Sequence, residues 1–416
     1  MDIAFGFAKE KMMVQVPDEN LLGVLHAHAV EDDGKDGAAI VSESLKNPID
    51  SLPLASLVSP GETVAIVTSD ITRPLPSYVV LPPVLDELTR AGIRDEDITI
   101  VFGLGSHRAH TEEEMRSLVG DAVYDRVRCI DSIGEFIHMG ESTRGTPYDV
   151  FADVVRADKR ICLGNIEYHY FAGYSGGAKA IMPGVCTRDA IQANHSKMVE
   201  EAARAGALDD NPVRIDIDEV TNHISIDFLV NVILDEQKKI RHCVSGHWKA
   251  AHRAGCKLLD DMYLCPIESR ADIVLVSPGG FPKDINLYQA QKALDNAKHA
   301  VKKGGIVILI GSCAEGLGEH VFEEWMTGHD KPGDMIGHIQ RDFQLGGHKA
   351  AAIAMVLENA RVFLVSDLDD EFVRSIHLEP WPNGQVAFDA ARKALGEQAT
   401  VLAMPHGGST LPRAKQ

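Results

Sequence analysis

The sequence predicts an α/β protein of two domains, with mainly parallel twisted sheets flanked by helices and an active site in the cleft between the domains. Three observations predict it. Short, unbroken runs of Val, Ile and Leu recur along the 416 residues. Stretches with helical character lie between them. Nearly every apolar run ends in a turn rich in Gly, His, Arg or Lys. An unbroken apolar run reads as a strand buried on both faces, as in a parallel sheet.

Taken in order, residues 63–70 and 98–103 read as strands, with a helix over 80–92 between them. Thr111 and Glu114 form a capping box, so a further helix starts near residue 112. A third strand covers 160–166, and Thr187 caps a helix that leads to His195. Residues 30–50 read as a polar connector containing a helix. Residues 199–263 break the alternation and are richer in helix, acidic residues and His. Strands resume at 271–280, 304–313, 361–367 and 399–408, with a helix over 286–305. This places an N-terminal domain over 1–268 and a C-terminal domain over 269–416.

The formal charge of −20 argues against nucleic acid, which needs a basic surface, and against an anionic membrane. No apolar run reaches the roughly 18 residues of a membrane span. The first twenty residues carry charges early and do not predict a signal peptide. Seven scattered Cys without a C-x-x-C pair predict a reduced, cytoplasmic protein.

Ligands of open α/β sheets bind at the carboxyl ends of strands. Those ends supply Asp70, Thr72 and Arg73, then His107 and Arg108, then His169, Gly173, Gly176, Gly177 and Lys179. The second half supplies Gly279, Gly280, Asp284, Gln289 and Lys292. His107 lies just before the positive end of a helix, which favours the neutral imidazole a base requires. A loop histidine bonded to the backbone is the plainer reading. The stretch 173–179 resembles a phosphate loop weakly, because Lys179 stands between two alanines rather than before Ser or Thr. Its glycines still let backbone N–H groups approach an anion. A tight turn with a solvated lysine is the alternative. His195, a lone helical histidine, is by itself more often structural. No G-x-G-x-x-G or G-x-S-x-G motif is present.

The joint pattern is more specific than its parts. Asp70-x-Thr-Arg-Pro74, Gly105-Ser-His107-Arg108, His169-x-x-Ala-Gly-x-Ser-Gly-Gly-x-Lys179, His195 and Tyr288-Gln289-Ala-x-Lys292 occur in one order. This resembles the nickel-pincer lactate racemase family. The resemblance implies a 2-hydroxy-acid racemase or epimerase. It implies nickel and a pyridinium-3,5-bisthiocarboxylic acid mononucleotide, linked to the protein at the position of Lys179. It further implies His195 as nickel ligand, His107 and His169 as acid/base pair, and Arg73, Gln289 and Lys292 on the substrate carboxylate. Asp70 and Thr72 support the site, and the Gly176-Gly177 turn approaches the cofactor phosphate. The implied partners are a small 2-hydroxy acid and the proteins that make the cofactor.

The chemistry behind that set is coherent. Removing the Cα proton of a hydroxy acid is hard, because the neighbouring carboxylate is already negative. Removing hydride leaves a neutral ketone, but needs an electrophilic acceptor and a base for the hydroxyl proton. Two histidines serve the two faces, and an arginine fork suits the carboxylate. Two other readings remain at this stage. One is a zinc hydrolase or lyase, which needs three converging ligands. The other is a nickel or nucleotide carrier, which leaves His107 and His169 without a task. Acidity overall is compatible with an anionic substrate, because distant surface charges are screened.

Overall fold

The computed structural model describes residues 1–28 and 34–415. The chain forms two compact units: Val30–Asp260, and Met1–Ala29 together with Asp261–Gln416.

The unit Val30–Asp260 is built on a six-stranded sheet. Its strands lie in the order Ile240–Gly246, Phe228–Leu234, Lys159–Asn165, Val64–Ser69, Ile98–Gly103, Arg128–Asp131. All neighbours are parallel except the first two, which are antiparallel. Ile66, Val67, Ile100, Val101 and Ile161 are wholly buried, as two-sided burial in a parallel sheet demands. From Val64–Ser69 the chain steps outward on one side to Ile98–Gly103 and Arg128–Asp131. It then returns to pair Lys159–Asn165 on the other side. The strand order thus reverses between Val64–Ser69 and Lys159–Asn165, the place where open α/β sheets bind ligands at their carboxyl ends.

The second unit repeats the principle. Its six strands are all parallel, in the order Glu379–Trp381, Arg361–Val365, Val301–Ile310, Ala271–Val276, Val401–Met404, Leu21–Val24. The reversal falls at Ala271–Val276, which leads through Gly279 and Gly280 into helix Leu287–Ala297.

Several expectations need correction. The single cut at 268 gives way to two, because Leu21–Val24 pairs with Val401–Met404 and so belongs to the sheet of the C-terminal unit. Residues 199–263 contain the strands Phe228–Leu234 and Ile240–Gly246. The first is buried at every position, so it shows no alternation. The helix expected over 286–305 ends at Ala297, and strand Val301–Ile310 follows. Exposed Lys302 and Lys303 at that strand's start continue a helix-like polar pattern. The helix of the polar connector is Gly37–Lys46, while residues 30–33 of that stretch lie outside the described residues.

Ile66 sits at the centre of the first sheet with 0 % exposure. Ile66→Ala removes its contacts and leaves a cavity, and should cost about 2–5 kcal/mol of unfolding free energy, read from urea denaturation.

Candidate active site

The turn after Val64–Ser69 carries three of the expected residues. Asp70 is buried, and its Oδ2 accepts a hydrogen bond from His107 Nδ1 at 2.6 Å. Thr72 Oγ1 lies 2.9 and 3.1 Å from the two Asp70 oxygens and 3.4 Å from His107 Nδ1. Arg73 Nη1 donates to Thr72 Oγ1 at 3.3 Å. Burial alone would push the Asp70 carboxyl up. Hydrogen bonds from His107 and Thr72 and the nearby charges of His107 and Arg73 outweigh it and hold the group below its ordinary value. Asp70 therefore accepts Nδ1–H of His107, which leaves the lone pair of that ring on Nε2.

His107 reaches this place because Leu104–His107 forms a turn after Ile98–Gly103, just before the Thr111 capping box. Arg108 points its guanidinium fork at Glu114, at 2.8 and 2.6 Å, so it serves the helix start.

The loops after Lys159–Asn165 carry the rest. Tyr168–His169 pairs antiparallel with Gly173–Tyr174, and both tyrosine hydroxyls donate to Asp260 Oδ1, at 2.7 and 2.8 Å. Nδ1 of His169 accepts the Ala172 N–H at 3.2 Å. Burial above all, with the charge of Arg73, drives the His169 pKa well below its usual value. The ring is held neutral, with its proton on Nε2. Phe171 packs edge-to-face on His169 at 4.5 Å and on His195 at 4.9 Å, so one aromatic ring spaces the two histidines.

The loop ending at Lys179 has its carbonyl groups bound from within the protein. Arg214, with no exposed surface, donates to the oxygens of Ala172, Tyr174 and Gly176. His252, equally buried, donates Nε2–H to Ser175 O at 2.8 Å. Asn231 Oδ1 accepts the Gly177 N–H at 2.9 Å. Gly176 and Gly177 take φ of +72° and +63°, and a Cβ on Gly177 would meet the His252 ring at 2.9 Å. Lys179 lies in the 3₁₀ turn Gly177–Ala180. Burial and the charges of Arg214 and Arg73 lower its pKa well below 10.5, which favours the neutral amine.

His195 closes helix Arg188–His195, which Thr187 caps as expected. Its Nδ1 bonds Asn194 Oδ1 at 2.9 Å, while Asn194 Nδ2 donates to Val213 O at 3.0 Å. That second bond fixes the amide's orientation, so His195 Nδ1 is the donor and Nε2 holds the lone pair.

In the other unit, Asn286 caps helix Leu287–Ala297 and receives the Gln289 N–H. Gln289 and Lys292 stand in its first two turns, at the reversal point of that sheet. Asp284 is structural: its Oδ2 accepts the N–H groups of Ala8 and Ser312, at 2.7 and 3.1 Å.

Models of the lactate racemase N-terminal and C-terminal domains match residues 7–206 and 267–411. The chain is 31 % identical to the lactate racemase of Thermoanaerobacterium thermosaccharolyticum over 429 residues, covering 100 % of both. It is 30 % identical to that of Lactiplantibacillus plantarum over 413 residues, covering 96 % of this chain and 97 % of the relative. It belongs to the lactate racemase family.

That makes the protein an enzyme of the racemase kind. The solved structure of the T. thermosaccharolyticum lactate racemase apoprotein superposes with a TM-score of 0.88 at 29 % identity, over 99 % of this chain and 100 % of that one. A protein of Thermotoga maritima shares the fold with a TM-score of 0.62 at 17 % identity, over 93 % of this chain and 100 % of that one. No helix among the described residues is long and apolar enough to cross a membrane.

Several residues that hold or flank the expected positions escape sequence reading. Arg214, His252 and Asn231 lie far along the chain from the loop they hold, and each sits in an ordinary helix or strand. Lys349 is another. It is buried, donates to Tyr288 O at 2.5 Å, and lies 3.7 Å from the centre of the Tyr288 ring. Burial and the charge of Lys292 bring its pKa down to about 7. The glycine pair before His348-Lys349, which opens helix Gly347–Leu357, was its only signal.

Two predictions follow from the loop. Gly177→Ala puts a Cβ against His252 at positive φ and should cost about 1–3 kcal/mol in a denaturation series. The second concerns charge. The unfolded chain titrates Lys179 near 10.5, while the native amine titrates well below that. The native state disfavours the charged form, so the amine lowers stability at pH 7; the loss fades as pH rises toward 10.5. Apoprotein Lys179→Met should melt above the parent at pH 7, and the gap should close as the pH is raised.

Proposed function

We propose that this chain racemises lactate or a related 2-hydroxy acid, with a nickel-pincer nucleotide tethered at Lys179 and His107 and His169 as acid and base. The observation that carries the reading is the Asp70–His107 pair at 2.6 Å, beside Arg73, at the reversal point of the sheet. The relatives' printed name, lactate racemase, supports the substrate class.

The residues present fit a covalently held group. A neutral lysine amine is nucleophilic, whereas an ammonium is not. The loop before it turns successive carbonyls inward, to Arg214 and His252, and Gly176 and Gly177 let Asn231 and the His252 ring come close to the main chain. His195 offers Nε2 as its lone-pair nitrogen, the form that binds a metal. Among the described residues no cluster of three or more His, Cys, Asp or Glu is arranged to hold a metal. A three-ligand zinc centre therefore has no cage, while an ion brought by a sulfur-bearing cofactor needs only His195 from the protein. Bound there, the pincer nucleotide supplies a hydride acceptor that can return hydride to either face of the ketone.

The chain's own groups handle the remaining work. Arg73 is exposed at the strand end, where its planar fork can take a carboxylate by two parallel bonds. Gln289 and Lys292 are assigned to the same carboxylate. His107 presents a lone pair at Nε2, because Asp70 holds its Nδ1–H. His169 presents N–H at Nε2, because Ala172 holds its Nδ1. The resting rings thus carry opposite tautomers: one accepts the hydroxyl proton while the other donates a hydrogen bond to oxygen. The proton taken up at His107 Nε2 is the one given back to the substrate oxygen, so His169 keeps its Nε2 proton and its ring stays neutral.

Proteins that build the cofactor are the implied partners. All seven cysteines are free thiols, which supports assignment to the cytoplasm.

Co-expression with the cofactor pathway, followed by intact mass and nickel analysis, tests the reading. An adduct of several hundred daltons on Lys179 with about one nickel per chain is expected. Unmodified Lys179 in an active enzyme would overturn it. Lys179→Ala should abolish lactate racemisation, and His107→Ala should lower the rate about 100-fold or more, measured by chiral separation.

A further inference from the structure

We propose that His110 and Asp131 form a second histidine–aspartate pair, which acts as a positioning device for His107 through the turn that carries Asp70. The proposal rests on the reading of His107 as the acid/base residue; His110 itself touches no reactant.

Asp131 closes strand Arg128–Asp131, the sheet neighbour of the strand that leads to His107. Its two oxygens both serve His110. Oδ1 lies 2.6 Å from Nδ1 of the ring, and Oδ2 accepts the main-chain N–H of the same residue at 2.8 Å. One carboxylate therefore fixes the backbone and the side chain of His110 together. The ring has 1 % of its surface exposed and packs on Phe102 at 5.2 Å.

On its far side, Nε2 of His110 accepts the N–H of Ile71 at 3.1 Å. An amide N–H can only donate, so Nε2 must hold a lone pair. The ring proton is then on Nδ1, where Asp131 accepts it. The carboxylate thus selects the one tautomer that can hold Ile71.

Ile71 lies between Asp70 and Thr72. Its own side chain gives the turn little packing, since the residue is 44 % exposed. The amide held by His110 is therefore an anchor for a turn whose side chains do the chemistry. Asp70 orients His107, Thr72 bridges Asp70 and Arg73, and Arg73 stands at the carboxyl end of the strand. Two histidine–aspartate pairs stand in series, Asp131–His110 then Asp70–His107, joined by a single peptide N–H. A small displacement of Ile71 changes the Asp70–His107 distance, and with it the tautomer of the reacting ring.

The test uses the apoprotein and reads His107 directly. Ring ¹⁵N chemical shifts of the parent should report His107 as the Nδ1–H tautomer. His110→Phe keeps the volume and removes both ring bonds. Asp131→Asn keeps the shape but leaves one of the two donors without an acceptor. Both should give a mixture of His107 tautomers, with melting still cooperative. His110→Gln keeps an acceptor for the Ile71 amide and should restore the parent spectrum. In the loaded enzyme, kcat/KM should fall about 10–100-fold in the first two variants and recover in the third. Unchanged His107 shifts in folded His110→Phe, or in Asp131→Asn should the first variant fail to fold, would overturn the proposal. Shifted His107 tautomers in a protein that never racemises a hydroxy acid would uphold this inference and count against the racemase reading.

Discussion

A guanidinium with no access to water organises the loop on which this site depends. Arg214 binds three carbonyl oxygens of the segment leading to Lys179, and the carboxylate of Asp218 lies 3.5 Å from it. A buried cation so weakly paired is costly unless its donors are all used. Its fork is used on the main chain, which fixes the direction of the peptide groups. The same charge discourages a proton on Lys179 and on His169. One residue therefore fixes the loop's shape and adds to the burial that lowers the pKa of both neighbouring bases.

The two sheets repeat one solution. Each reverses its strand order once, and each places its polar residues at the carboxyl end beside that reversal. Open α/β sheets bind ligands at such a place. The unit Val30–Asp260 carries histidines, a lysine and Arg73 at its strand ends. The other carries an amide and an amine, Gln289 and Lys292, on a capped helix.

Much of this was legible in the sequence. Parallel strands advertise themselves through unbroken apolar runs, and 98–103 was read to the residue. The residues at strand ends were found for the same reason, since the polar break after such a run is conspicuous. What remained hidden was everything that needs two distant segments to meet. Phe228–Leu234 was missed because Asn231 interrupts its apolar run in the middle. Arg214 looks like any charged helical residue in the sequence, because its burial comes from the loop forty residues earlier that it binds. His110 stands three residues beyond His107 and was passed over, since nothing in its neighbourhood reveals that Asp131 and Ile71 lie on either side of it.

The edge strand Leu21–Val24 has a consequence for the order of folding during synthesis. Its sheet partner is Val401–Met404, so an element from the first few dozen residues must wait until nearly the whole chain has left the ribosome. The unit Val30–Asp260 is contiguous and faces no such delay. Domains tend to fold as units while the chain grows. The half that carries Lys179, His107 and His169 can thus fold while the amino-terminal segment still waits for its sheet.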